Sequence, residues 1–213
     1  MFYYLDLDDR NCVVAAVASG TEMKDLVQVT KDIYDKASML GSNAVYQDGE
    51  IYDKRQCKWD SDTNKWVVDE SLEIAVLKQD LIDELNRITS KTIKQYYPSW
   101  KQQSDLADKD YHGAALLMIN SSYTADQLYK QAGTYANEIL DGTKTLNDIV
   151  STLPQQEQPH WEQIIKSAAR IAWLKRVKDV YWSVYNEITS KTSKTDLEQI
   201  DLNSIVFPKF PQF

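Results

Sequence analysis

The chain has 213 residues, 43% hydrophobic and 26% charged, which fits a soluble globular protein with one sizeable core or two small ones. Its net charge of −8 and pI near 4.8 disfavour a nucleic-acid backbone or an anionic membrane surface as partner. No window approaches the ~18 uninterrupted apolar residues of a membrane span, so no membrane insertion is expected.

Residues 1 to about 69 read as β-rich. Phe2 to Leu5 is an apolar run, Asp8-Asp9-Arg10-Asn11 supplies turn chemistry, and Cys12 to Val17 is a second β-prone run. Leu26 to Val29 is a third short strand, and Lys31 to Leu40 a short helix ended by Gly41. Asp48-Gly49 between Ala44-Val45-Tyr46 and Ile51-Tyr52 marks a hairpin. A second hairpin pairs Cys57-Lys58-Trp59 with Lys65-Trp66-Val67-Val68, which allows Trp59 and Trp66 to stack across it. Asp60, Asp62 and Asn64 in its loop match the opening of a calcium loop. Lys65 and Ser71 stand where that loop needs glycine and a bidentate glutamate, so the reading is a polar turn without metal.

From Ser71 the apolar spacing becomes helical: Ile74, Leu77, Leu81, Leu85 and Ile88 share one side of a helix, with Asp69 and Ser71 as candidate N-caps. Tyr97-Pro98 predicts a break, and a further helix starts near Ser99 and runs to Ile119. Ser122 or Thr124 caps the next helix, which ends at Asp141-Gly142. A short helix runs from Thr145 to Leu153, and Pro159 suits the first turn of a long final one. Its expected stripe is Ile164, Ala168, Ile171, Leu174, Val177, Tyr181, Val184 and Ile188. Lys166, Arg170, Lys175, Arg176 and Lys178 fall mostly off that stripe, as a solvated face. In the last residues Phe207, Phe210 and Phe213 are spaced by prolines, which predicts an extended strap that docks onto a surface. The expected class is α+β: a small β-rich domain over 1–69, a mainly helical region with long helices over 70–195, and an extended tail over 196–213.

Chemistry is sparse. Cys12 and Cys57 do not make a disulfide scaffold and read as reduced, partly buried thiols. The opening residues lack the basic start and apolar run of a secretory leader, so folding in a cytoplasm is the expectation. His112 and His160 are the only histidines, and no nucleophile elbow, phosphate loop or zinc motif accompanies them. Asp105 and Asp108 share a helix face, but as solvated carboxylates rather than an acid–base pair. No cofactor or metal is expected, and the chain reads as non-enzymatic. Thirteen tyrosines and six tryptophans instead suit interfaces, where each offers apolar area with a polar handle.

Three features together resemble tail fibre and tail fibre-associated proteins of tailed bacteriophages. They are the β-rich start with Ala44-Val45-Tyr46-Gln47-Asp48-Gly49, the Trp59/Trp66 hairpin leading into a helix, and Tyr97-Pro98-Ser99-Trp100-Lys101-Gln102. The resemblance covers about residues 40–105 and lacks the long repetitive β-region of a receptor-binding shaft. It implies a virion structural protein of the phage tail, a fibre or baseplate–fibre adaptor made in the host cytoplasm and acting through protein–protein contacts. It also implies partners among other tail proteins and a homo-oligomer, with a trimer favoured. The expected interface residues are Ile74, Leu77, Leu81, Leu85, Ile88, Trp100, Phe207, Phe210 and Phe213. A tail fibre assembly chaperone, or a small glycan-binding or hydrolytic module with Trp59, Trp66 and Trp100 as stacking platforms, are the alternatives.

Overall fold

The computed structural model describes residues 1–96 and 112–213. The strands, with one short helix among them, come before the long helices, so the chain is α+β, with small sheets followed by long helices. Contacts divide it into two compact units, Met1–Leu81 with Lys191–Ile200, and Ile82–Ser190 with Asp201–Phe213. The change in secondary structure near residue 69 precedes that division, which falls inside a helix.

In the first unit β1 (Phe2–Leu7) is the middle of a three-stranded antiparallel sheet, flanked by β2 (Val13–Ser19) and β3 (Val27–Val29). The turn after β1 is built by Asp8, whose Oδ1 accepts from the Arg10 and Cys12 N–H groups at 2.9 and 2.8 Å. α1 (Lys31–Leu40) is capped by the Thr30 hydroxyl and ends at Gly41, φ 55°. Leu5, Val13, Ala37 and Ala44 bury one face of the sheet under α1. Tyr4 is buried too, and its hydroxyl accepts from the Met23 N–H at 3.2 Å.

β4 (Ala44–Gln47) and β5 (Glu50–Asp53) form the expected hairpin, with Asp48 and Gly49 both at positive φ, as its two-residue turn requires. In the second hairpin, β6 (Cys57–Asp60) and β7 (Lys65–Val68), Trp59 lies directly opposite Trp66. The rings meet edge to face, 5.5 Å apart at 67°. Its loop is the polar turn expected, since the Asp60 carboxylate accepts from the Asp62 N–H and the Thr63 hydroxyl. Asp69 then caps α2 (Glu70–Tyr96), accepting from the Ser71 and Leu72 N–H groups. The predicted corner at Tyr97-Pro98 and helix start at Ser99 lie outside the described residues.

In the second unit α3 covers residues 112–121, two residues beyond the expected end at Ile119, and Ser122 turns the chain at φ 59°. α4 (Ala125–Leu140) and α5 (Leu146–Val150) start at capping boxes, Thr124 with Gln127 and Thr145 with Asp148. Both pack on α6 (Gln158–Ser190), which has Pro159 in its first turn. Leu117, Leu128, Ala132, Ile149, Trp161 and Ile165 are central to this core.

The buried side of α6 agrees with the expected stripe only in part. Ile164, Val177 and Ile188 of that stripe are buried, but so is the row Trp161, Ile165, Ala169, Trp173 and Val177 at steps of four, while Ile171 is 65% exposed. A four-residue row slants across the helix, the ridge along which another helix seats. Ile171 lies two residues, about 200° of rotation, from Trp173 and therefore faces away. After α6 come α7 (Lys194–Glu198), a single 3-10 turn at Leu202–Ser204, and residues 205–213 without regular secondary structure.

Candidate functional site

The apolar stripe of α2 is unevenly covered. Leu85 is completely buried, whereas Ile74, Leu77, Leu81 and Ile88 are half-buried. Ile74, Leu77 and Leu81 belong to the first unit, Leu85 and Ile88 to the second. Trp100 lies outside the described residues, as do Asp105 and Asp108.

Phe210 and Phe213 of the tail lie together in the second unit, their ring centroids 6.4 Å apart. Phe210 stacks on Tyr96, with centroids 4.2 Å apart and rings 3° from parallel, and meets the Trp173 ring edge on at 5.0 Å. Tyr96 in turn meets Trp173 edge on at 5.4 Å. The buried indole of Trp173 donates from Nε1 to the Pro208 carbonyl at 2.8 Å. Phe213 lies under Arg170 and Lys166, 5.3 and 6.0 Å from its centroid. Phe207 is half-buried. The strap therefore docks on its own α6.

Arg170 and Lys166, expected on a solvated face, are half-buried and cover an aromatic ring. Arg176 is likewise engaged, donating to Asp141 at 2.8 Å. The sequence reading missed Trp173, Tyr96 and Arg170 as parts of this seat. A bulky indole on the Trp161–Ile165–Ala169 row was the available signal.

A second cluster lies at the mouth of the two hairpins. Arg10 lies over Trp59 at 5.5 Å and Lys54 over Trp66 at 5.4 Å. The Trp66 indole donates to the Arg10 carbonyl at 2.8 Å, and the Gln47 amide bridges the Trp66 backbone N–H and C=O at 2.7 and 3.0 Å. A shallow recess of about 370 Å³ beside it is lined by Asp8, Arg10, Cys12, Lys54 and Trp66. Backbone N–H bonds from Cys12 and Arg10 hold the Asp8 carboxyl below its ordinary range. Burial raises the Cys12 and Cys57 thiols, and both are free and buried.

A cleft of about 610 Å³ runs between α3 and the start of α6 and includes Asn120, Ser121, Glu157 and His160. Glu157 Oε2 accepts from the Tyr123 hydroxyl at 3.4 Å and the Trp161 indole at 3.3 Å, so this carboxylate braces the core. Burial, followed by the Glu157 charge, raises the Tyr123 phenol. Among the described residues no group of three or more His, Cys, Asp or Glu side chains is placed to hold a metal ion. No described helix is long and apolar enough to cross a membrane.

Set against known proteins, the chain matches no family model, no curated protein and no solved structure.

Proposed function

We propose that the chain is a non-enzymatic structural component of a bacteriophage tail, a fibre or baseplate–fibre adaptor that works through protein–protein contacts. The observation that carries the reading is the set of large apolar side chains left in solvent on the helices of the second unit. Tyr129 on α4 is 70% exposed and Trp182 on α6 52%, in addition to Ile171. Trp182 packs its ring against Tyr181 and Tyr185, at 5.1 and 5.4 Å, which gives a rigid aromatic surface with polar edges. Such surfaces are what interfaces are enriched in. The tail assignment rests on the resemblance of residues 40–105. It makes other tail proteins, and further copies of this chain with a trimer favoured, the partners, and the virion tail the location.

Mass spectrometry of purified particles tests this directly. The chain is expected at stoichiometric abundance in particles. Its presence in infected cells but absence from particles would replace the structural role with that of an assembly chaperone. Light scattering tests the oligomer: the wild type should exceed the 24.6 kDa chain mass, and Leu81→Asp should reduce it. A wild type that scatters as a single chain at micromolar concentration would refute isolated self-association.

A further inference from the structure

We propose that the Tyr96–Trp173–Arg170 seat is a recognition site for the Phe-Pro strap, filled in cis here, and that it takes the strap of a second copy in trans. The proposal is independent of any role in a tail.

The seat meets the strap as an extended, proline-containing segment. Tyr96 and Trp173 form two walls that meet Phe210 on its face and its edge, at 4.2 and 5.0 Å. The Trp173 Nε1–H is placed to read one backbone carbonyl, that of Pro208, at 2.8 Å. Arg170 caps a second ring, Phe213, at 5.3 Å, and among the described residues its Nη1 has no hydrogen-bond partner. Prolines on either side of Phe210 pre-set an extended backbone, which lowers the entropy lost when the segment docks. This combination of ring pockets with one backbone contact is how aromatic-lined grooves recognise proline-rich segments.

Two observations favour a second copy as the occupant. The strap has no regular secondary structure of its own, so it loses no internal ladder on leaving. Tyr96 is 40% exposed with the strap in place, so one wall of the seat is already at the surface where an arriving strap can meet it. Exchange of an identical element between copies gives each seat the contacts it already makes in cis.

The test uses full-length chains and a labelled peptide of residues 201–213. Phe210→Ala in the chain removes the stacking ring from the resident strap and leaves the seat intact. Fluorescence anisotropy should show this chain binding the native peptide at least tenfold more tightly than the wild-type chain does. A peptide carrying Phe210→Ala should bind neither. In an equimolar mixture, the Phe210→Ala chain and a Tyr96→Ala chain, one with an open seat and one with a loosened strap, should give a species of twice the chain mass. Each alone should give less of it. Equal peptide affinity for the wild-type and Phe210→Ala chains, or equal binding of the native and alanine peptides, would overturn the proposal. If the Phe210→Ala chain loses its helical circular dichroism signal, added native peptide should restore it, and failure to do so also counts against trans docking.

Discussion

Trp173→Phe is the perturbation that examines the strap most sharply, because it keeps an aromatic ring in the row of α6 and deletes the indole N–H. The lost bond to the Pro208 carbonyl is worth about 1 kcal/mol net. Replacing a fully buried indole by a phenyl ring forfeits roughly 40 Å² of apolar contact, about 1 kcal/mol more. The expected loss is therefore about 2 kcal/mol, or roughly 4–8 °C in Tm for a chain of this size. Urea unfolding followed by far-UV circular dichroism measures it, with Phe210→Ala and the double variant completing a cycle. Phe210 touches Trp173 edge on, so the cycle should return a coupling of about 1 kcal/mol. Additivity within about 0.3 kcal/mol would refute the packing of the strap on α6.

Three further outcomes follow from the same structure. Ile165→Ala, at a completely buried site, should cost about 2–5 kcal/mol, whereas exposed Ile171→Ala should stay within about 0.5 kcal/mol in the same urea titration. Thr124→Ala removes one half of the capping box of α4 and should cost about 1 kcal/mol, read as a shift in urea midpoint at constant slope. The Asp69 carboxyl is held well below its ordinary value, first by the Lys58 ammonium and then by the Ser71 hydroxyl and Leu72 N–H. Its folded pKa lies under its unfolded one, so its contribution is complete above about pH 4 and fades as the pH falls towards the folded value. Asp69→Asn should accordingly flatten the acid side of the stability–pH curve, and an unchanged acid limb would contradict this capping role.

What could be read in the sequence was local chemistry. Asp48-Gly49 needs nothing beyond its two flanking runs to specify a hairpin, and both residues adopt positive φ. Thr30, Asp69, Thr124 and Thr145 cap helices because a short polar side chain reaches backbone N–H groups two or three residues away. The phase of α6 was not readable in this way. Ile164, Ile165, Ala168, Ala169 and Ile171 permit more than one apolar face, and the choice is made by α4 and α5 packing against the four-residue row. Nor was the brace of Gln47 on Trp66, or the placing of Tyr96, Trp173 and Arg170 around Phe210 and Phe213. These are contacts between residues 19 to more than 100 positions apart, which a periodicity within one helix does not encode.

With the strap in place, less apolar surface is left for an assembly to bury. Two long apolar stripes, on α2 and on α6, demand cover from elsewhere. On α6 the demand is met from within: α4 and α5 pack on it and the strap closes over Trp173. The stripe of α2 remains only half-buried at Ile74, Leu77, Leu81 and Ile88. Apolar surface that folding leaves in water is the surface association can still bury, at about 25 cal/mol per Å². The contacts of an assembly are therefore to be sought on the open edge of the α2 stripe, and separately at Tyr129, Ile171 and Trp182. The strap differs from both, since its seat is already complete in one chain. A copy that lends its strap gains no new apolar burial, so exchange is governed by concentration, and a stable assembly needs the exposed faces as well.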